Sequence, residues 1–180
     1  GVLTKLASLT PEEKQRGVIA SSAGNHAAAL AFGAALEGTT ALVVMPSGAS
    51  EVKRDAALAY GAEIDQEAAG PGDLFQRMDE LVESTGRVLV HPFDDPLVLA
   101  GQGTVGLEIL DDLDGVETIV VPVGGGGLFA GIASAAAPAG VAVVPVEPVG
   151  SRALHAAVEA GASTPVEAVS IADGLNAPFA

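Results

Sequence analysis

Apolar and polar positions along the chain fall into two alternating patterns: short β-branched runs that predict buried strands, and Ala/Leu-rich stretches that predict helices. Leu9-Thr10-Pro11-Glu12-Glu13 opens a helix with three agreeing signals: Thr10 as N-cap, Pro11 at the first helical position, and Glu13 closing a capping box. Gly17 ends it. Val18 to Ala20 predicts a buried strand, Asn25 to Glu37 a helix of small residues stopped at Gly38, and Ala41 to Met45 the next strand. Helix Glu51 to Tyr60 leads through Gly61 to a short strand at Ala62 to Ile64, and helix Gly72 to Ser84 leads through Gly86 to strand Val88 to Val90. After a loop with two prolines, His91 to Pro96, come helix Leu97 to Leu113 and strand Thr118 to Pro122. Helix Leu128 to Ala137, strand Val141 to Val146 and helix Arg152 to Ala160 complete the series.

Strand–helix alternation predicts an α/β fold of parallel strands with right-handed crossovers, its sheets covered by helices on both faces. The proline loop offers a boundary between two lobes, residues 1–95 and 96–180. With 49% hydrophobic residues the chain can fill a core, but only 3% are aromatic, so packing must rest on Ala, Val and Leu. Apolar runs such as Val141 to Val146 are too short to cross a bilayer, and no charged-then-apolar leader opens the chain, so a cytoplasmic protein without a membrane partner is expected. The absence of cysteine excludes disulfides, thiolate metal sites and a cysteine nucleophile from this chain.

Charge narrows the partners further. The formal net charge is −15, from 23 acidic and 8 basic residues, and no basic stripe exists to release counterions, so nucleic acid is not an expected partner. The acidic residues are scattered, as on solvated helix faces.

Two turns carry the candidate chemistry: Ser22-Ala23-Gly24-Asn25-His26-Ala27 and Pro122-Val123-Gly124-Gly125-Gly126-Gly127-Leu128. Each runs from the end of a predicted strand into the start of a predicted helix, where amides lack intrahelical partners and glycine lets an oxygen-rich group approach the backbone. Together they predict a ligand with two anionic ends. Taken singly, the first has a plainer reading, with Asn25 as a helix N-cap, His26 as a surface side chain and Gly24 as a turn glycine. The second also fits a dinucleotide turn, Gly125-x-Gly127-x-x-Ala130, with Glu147 about twenty residues on at the end of the next strand. That alternative oxidoreductase reading gives Ser22 to His26 no role.

The two turns together resemble the signature of fold type II pyridoxal-phosphate enzymes (the tryptophan-synthase-β-like fold), particularly the threonine/serine dehydratase and serine racemase group. Leu3 to Leu6, Leu9 to Glu13, Val44-Met45-Pro46, Lys53, Tyr60-Gly61-Ala62, His91-Pro92-Phe93, Gly101-Gln102-Gly103-Thr104, Glu147-Pro148 and Ile171-Ala172-Asp173-Gly174 fall in the same order. The resemblance implies pyridoxal 5′-phosphate as cofactor, with Gly124, Gly125, Gly126, Gly127 and Leu128 around its phosphate, Asn25 on the pyridoxal 3′-oxygen and Gly174 near the ring. It further implies that Ser22, Ala23, Gly24, Asn25 and His26 bind the carboxylate of an amino acid substrate, and that the complete enzyme is a homo-oligomer. Residues 1–95 and 96–180 are, by the same resemblance, a smaller N-terminal lobe and part of a larger cofactor-binding lobe. The implied reaction is dehydrative deamination of L-threonine or L-serine to a 2-oxo acid and ammonia, placed in amino-acid metabolism and isoleucine biosynthesis.

The family's Schiff-base lysine lies in Ser-Phe-Lys-x-Arg-Gly, and Lys5, Lys14 and Lys53 are not in that context. The lysine is therefore expected upstream of Gly1, no catalytic residue is assigned within the chain, and the chain is read as an internal piece inactive by itself. A non-catalytic segment that binds pyridoxal phosphate or another small anion is the alternative. Ala23 stands where racemases carry a second Ser that protonates the opposite face of the α-carbon; alanine has no such proton, which favours elimination over racemisation. Glu147 matches a divalent-cation ligand of racemase-like members, but Ala153 stands where a second carboxylate belongs, so no metal is expected and Glu147 reads as a strand-end carboxylate facing solvent. His91 reads as structural, His155 as a residue of a helix face, and Asp94 and Asp95 as turn formers.

Self-repulsion among the surplus carboxylates predicts a salt-dependent fold. The melting temperature is expected to rise between low salt and about 1 M KCl, read by circular dichroism; a flat or falling curve contradicts this.

Overall fold

The computed structural model describes residues 1–22, 24–68 and 73–180. In chain order the elements are α1 (Val2–Ala7), α2 (Pro11–Arg16), β1 (Val18–Ser21), α3 (Asn25–Leu36), β2 (Ala41–Val44), α4 (Glu51–Ala59), β3 (Glu63–Asp65), α5 (Asp73–Thr85) and β4 (Val88–Leu89). They continue with α6 (Pro96–Asp112), β5 (Thr118–Pro122), α7 (Gly127–Ala136), β6 (Ala142–Val146) and α8 (Ala153–Ala160), with 3-10 turns at Ala137–Ala139 and Asp173–Leu175. The chain separates into two compact units, Val2–Pro92 and Phe93–Ala180, with Gly1 belonging to the second.

In the first unit, four parallel strands lie in the order β3-β2-β1-β4. β1 and β2 are buried along their whole length, which is why their sequences read as unbroken apolar runs rather than alternating ones. Ile19, Leu42 and Val44 pack with Met78, Leu74 and Phe75 of α5. α3 also packs against β1 and β2, burying Leu30, Ala31 and Ala34. Arg77 of α5 forks onto Asp65 of β3, with Nη2 2.7 Å from Oδ2, and the guanidinium holds that carboxyl below its usual range. The predicted capping box is present: Glu13 N donates to Thr10 Oγ1 at 3.2 Å, and Thr10 N to Glu13 Oε2 at 2.8 Å. α1 carries no cap signal and was not predicted; tertiary packing makes it, since Leu6 is fully buried against Gly33 of α3. The helix predicted from Gly72 is described from Asp73, and Gly72 lies outside the described residues.

In the second unit, β5 and β6 pair in parallel, Val120 opposite Val144 and Pro122 opposite Val146. Ile119 and Val121 face Ile132 and Ala136 of α7, while Val120, Val144 and Val146 on the other face are exposed. α6 and α7 approach at glycines. A Cβ at Gly131 would lie 2.6 Å from the Leu99 carbonyl oxygen and 2.7 Å from the Gly103 nitrogen, so a side chain there would push backbone against backbone.

Gly131→Ala is accordingly expected to cost about 2–3 kcal/mol through overpacking. A melting scan should show a fall of roughly 4–10 °C; an unchanged midpoint contradicts the close-crossing account.

Candidate functional site

In the first unit the turn after β1 begins with Ser22, whose N–H continues the sheet ladder to the Val44 carbonyl at 3.1 Å. Its Oγ accepts from Gly24 N at 3.1 Å, bending the chain toward α3. Gly24, not Asn25, is the N-cap, and it offers no side-chain oxygen to the helix. The N-cap reading of Asn25 is thereby corrected: Asn25 is the first helical residue, exposed, and its side chain makes no hydrogen bond among the described residues. Ala23 lies outside the described residues.

His26 is not the surface side chain of the plainer reading. Its ring turns inward, half-buried, with Nε2 2.9 Å from the carbonyl oxygen of Val90, and so ties the start of α3 to the end of β4. Burial lowers its pKa, the Val90 bond opposes that shift, and the nearby His91 adds to it. His91 stacks on Phe75 with centroids 6.4 Å apart.

In the second unit the glycine turn follows Val123, whose N–H is bonded to the Val146 carbonyl at 2.8 Å. Gly126 is the N-cap of α7 in the left-handed region, with φ of 87°, and the first helix bond runs from Ala130 N to Gly126 O at 2.8 Å. Among the described residues, the amides of Gly125, Gly126, Gly127, Leu128 and Phe129 have no backbone acceptor in the turn. A Cβ at Gly124 would lie 3.3 Å from Leu175 Cα and 3.4 Å from the Gly174 carbonyl oxygen, so the Asp173–Leu175 turn sits beside the glycine run. That turn is held by Ser151, fully buried, whose Oγ donates to the Leu175 carbonyl at 2.8 Å. Gly174 itself is exposed, with open space where its side chain would be.

Glu147 corrects two readings at once. Its Oε1 accepts from Leu154 N at 2.7 Å and its Oε2 from His155 N at 2.9 Å, so the carboxylate closes the start of α8 instead of facing solvent. Its carboxylate is thus turned to the α8 amides, a role within the fold that the dinucleotide alternative did not give it. No group of three or more metal-ligating side chains occurs among the described residues. Asp95 is buried and caps α6, its Oδ1 accepting from Leu97 N and Val98 N. Asp94 is exposed, and the exposed His155 lies 3.4 Å from Glu159. No helix among the described residues is long and apolar enough to cross a membrane.

A turn of this kind, with a row of unpaired amides in backbone that no Cβ obstructs, suits a phosphate monoester. The family model of pyridoxal-phosphate-dependent enzymes matches residues 1–180. The chain belongs to that family. Pyridoxal 5′-phosphate is the cofactor of the family, and the glycine turn has the donors its phosphate needs. A catabolic L-threonine dehydratase of Staphylococcus aureus is 49% identical over 135 residues, 75% of this chain and 39% of that protein. The processed form of threonine deaminase isoform 2 from Solanum lycopersicum superposes with a TM-score of 0.91 at 33% identity, over 98% of this chain and 52% of that one. Maize serine racemase superposes with a TM-score of 0.92 at 34% identity, over 99% of this chain and 55% of that one. The chain thus spans about two-fifths to just over half the length of these relatives. The bacterial relative is named as catabolic, which gives no support to the expected isoleucine-biosynthetic placement.

Sequence patterns did not reveal the inward ring of His26, the cap made by Glu147 or the contact of Ser151 with Leu175. Only in Glu147 was there a signal, a carboxylate shortly before a predicted helix.

Because its folded pKa is lowered, His26 takes up a proton near pH 6.5 in the unfolded chain but only at lower pH when folded. Between those values the unfolded state holds the extra proton, so stability falls as pH drops through the window and levels off once folded His26 is itself protonated. His26→Gln keeps a donor but cannot titrate. Between about pH 7.5 and pH 5 the wild-type melting temperature should fall more than the variant's; parallel curves contradict this.

Proposed function

We propose that a protein carrying this chain together with the motif Ser-Phe-Lys-x-Arg-Gly catalyses the dehydrative deamination of L-threonine or L-serine to a 2-oxo acid and ammonia. The observation that carries this reading is the 49% identity to an L-threonine dehydratase across three quarters of the chain. Family membership alone covers racemisation as well as deamination; Ala23, with no proton to deliver, favours deamination.

Pyridoxal phosphate, when bound, supplies an electron sink for the α-carbon of an amino acid. In this proposal the backbone of Gly124 to Leu128 surrounds its phosphate, with the amides of Gly125 to Leu128 as donors and the positive end of α7 adding favourable charge. Asn25 contributes its free side chain to the pyridoxal 3′-oxygen, and Gly174 leaves room for the ring. The short side chains and amides of Ser22 to His26 receive the substrate carboxylate. His26 contributes through its backbone and Nδ1, since Nε2 is committed to Val90. The unit Val2–Pro92 then serves as the smaller lobe and Phe93–Ala180 as part of the cofactor lobe, in a cytoplasmic homo-oligomer.

Two measurements test this. The longer protein, supplied with L-threonine and pyridoxal phosphate, is expected to release 2-oxobutanoate and ammonia, and to lose this activity when the motif lysine is changed to alanine. The 180-residue chain is expected to bind pyridoxal phosphate without turnover, with Asn25→Ala weakening binding about tenfold, the equivalent of one hydrogen bond to a charged group. Racemisation without ammonia release, or binding indifferent to Asn25, overturns the corresponding part.

A further inference from the structure

In this structure protein atoms occupy the space that side chains at two of the turn's four glycines would need. A Cβ at Gly125 would fall inside contact distance of Cγ, Cδ1 and Cε1 of Phe93. A Cβ at Gly127 would lie 2.9 Å from both Cα and Cβ of Phe93 and 3.3 Å from its carbonyl oxygen. One residue, from a loop about thirty positions earlier, therefore lies against both glycines. Its own placement is fixed on two sides. Two residues later Asp95 caps α6 through Leu97 N and Val98 N, and the Phe93 ring meets Phe179 edge to face at 5.4 Å and 63°.

We propose that Phe93 is the positioning residue of the glycine turn: it fills the volume that side chains at positions 125 and 127 would need and thereby fixes the orientation of the Gly125 to Leu128 amides. This rests on the reading of that turn as a phosphate holder. The absence of side chains at 125 and 127 is then a requirement of Phe93 and exists before any ligand arrives. A ring is suited to the task because it is flat, stiff and has few rotamers, so it can lie against bare backbone without leaving a gap. Gly126 differs: its constraint is the left-handed backbone, and the nearest atom to its missing side chain is Ala180 Cβ at 4.0 Å.

The test is a double-variant cycle in the full chain. Gly125→Ala is expected to lower the melting temperature by about 3–10 °C when Phe93 is present and by less than about 2 °C in a Phe93→Ala background. Equal losses in the two backgrounds overturn the proposal. If Phe93→Ala does not fold, Phe93→Leu, which lacks the ring's outer atoms, replaces it, with a partial relief expected and no relief overturning. A packing role alone would not alter ligand response, so amide resonances supply the second readout. In the wild type, inorganic phosphate should shift the amides of Gly125 to Leu128; in the Phe93 variant those shifts should fall at least fivefold at the same phosphate concentration while the rest of the spectrum is retained. A wild type whose turn ignores phosphate would sink the phosphate-holder reading, whereas a responsive wild type and an equally responsive variant would sink only the role of Phe93.

Discussion

A helix that begins in open backbone leaves its first amides without acceptors, and at the start of α7 the amides of Gly125 to Phe129 find no backbone acceptor among the described residues. The phosphate site proposed for the second unit depends on keeping that row unpaired. Capping side chains, which would satisfy it, are missing: the cap residue is Gly126, and no hydroxyl, amide or carboxylate side chain occurs between Pro122 and Gly131. By contrast, carboxylates cap the helices on either side in sequence, α6 through Asp95 and α8 through both oxygens of Glu147. Selective closure leaves the positive end of α7 for an anion.

The first unit shows the same economy at the start of α3. Gly24 caps without a side chain, and Ser22 spends its hydroxyl on the turn itself. His26, which could have reached outward, is pulled in by Val90 and anchors the helix where two strands end. In the proposed function, both features serve the binding of pyridoxal phosphate and its amino acid substrate. In each case a strand bonded into its sheet delivers the chain to a helix start that no side chain of its cap residue closes.

Much of this was legible in the chain because the signals are local. The capping box at Thr10 and Glu13, the bounds of β5, and the glycines after α2 and α3 are read from neighbours within a few positions, and the structure reproduces them. Burial on both faces erases alternation from β1 and β2, yet the unbroken apolar run is itself diagnostic. What escaped is non-local. The contact of Phe93 with Gly125 and Gly127 joins loops far apart in sequence, and Glu147 reaches an amide seven positions ahead, beyond the reach of ordinary capping patterns. α1 has neither a cap nor a long period, and exists because Leu6 finds a glycine on α3.

The exposed valines of the second sheet have a consequence for handling the molecule. Val120, Val144 and Val146 form an oily strip on a particle that otherwise repels its own copies through a large negative charge. Electrolyte that calms repulsion within one molecule also calms it between molecules, and so exposes the strip to its neighbours. For the 180-residue chain by itself, salt that favours the fold therefore also favours association through this strip.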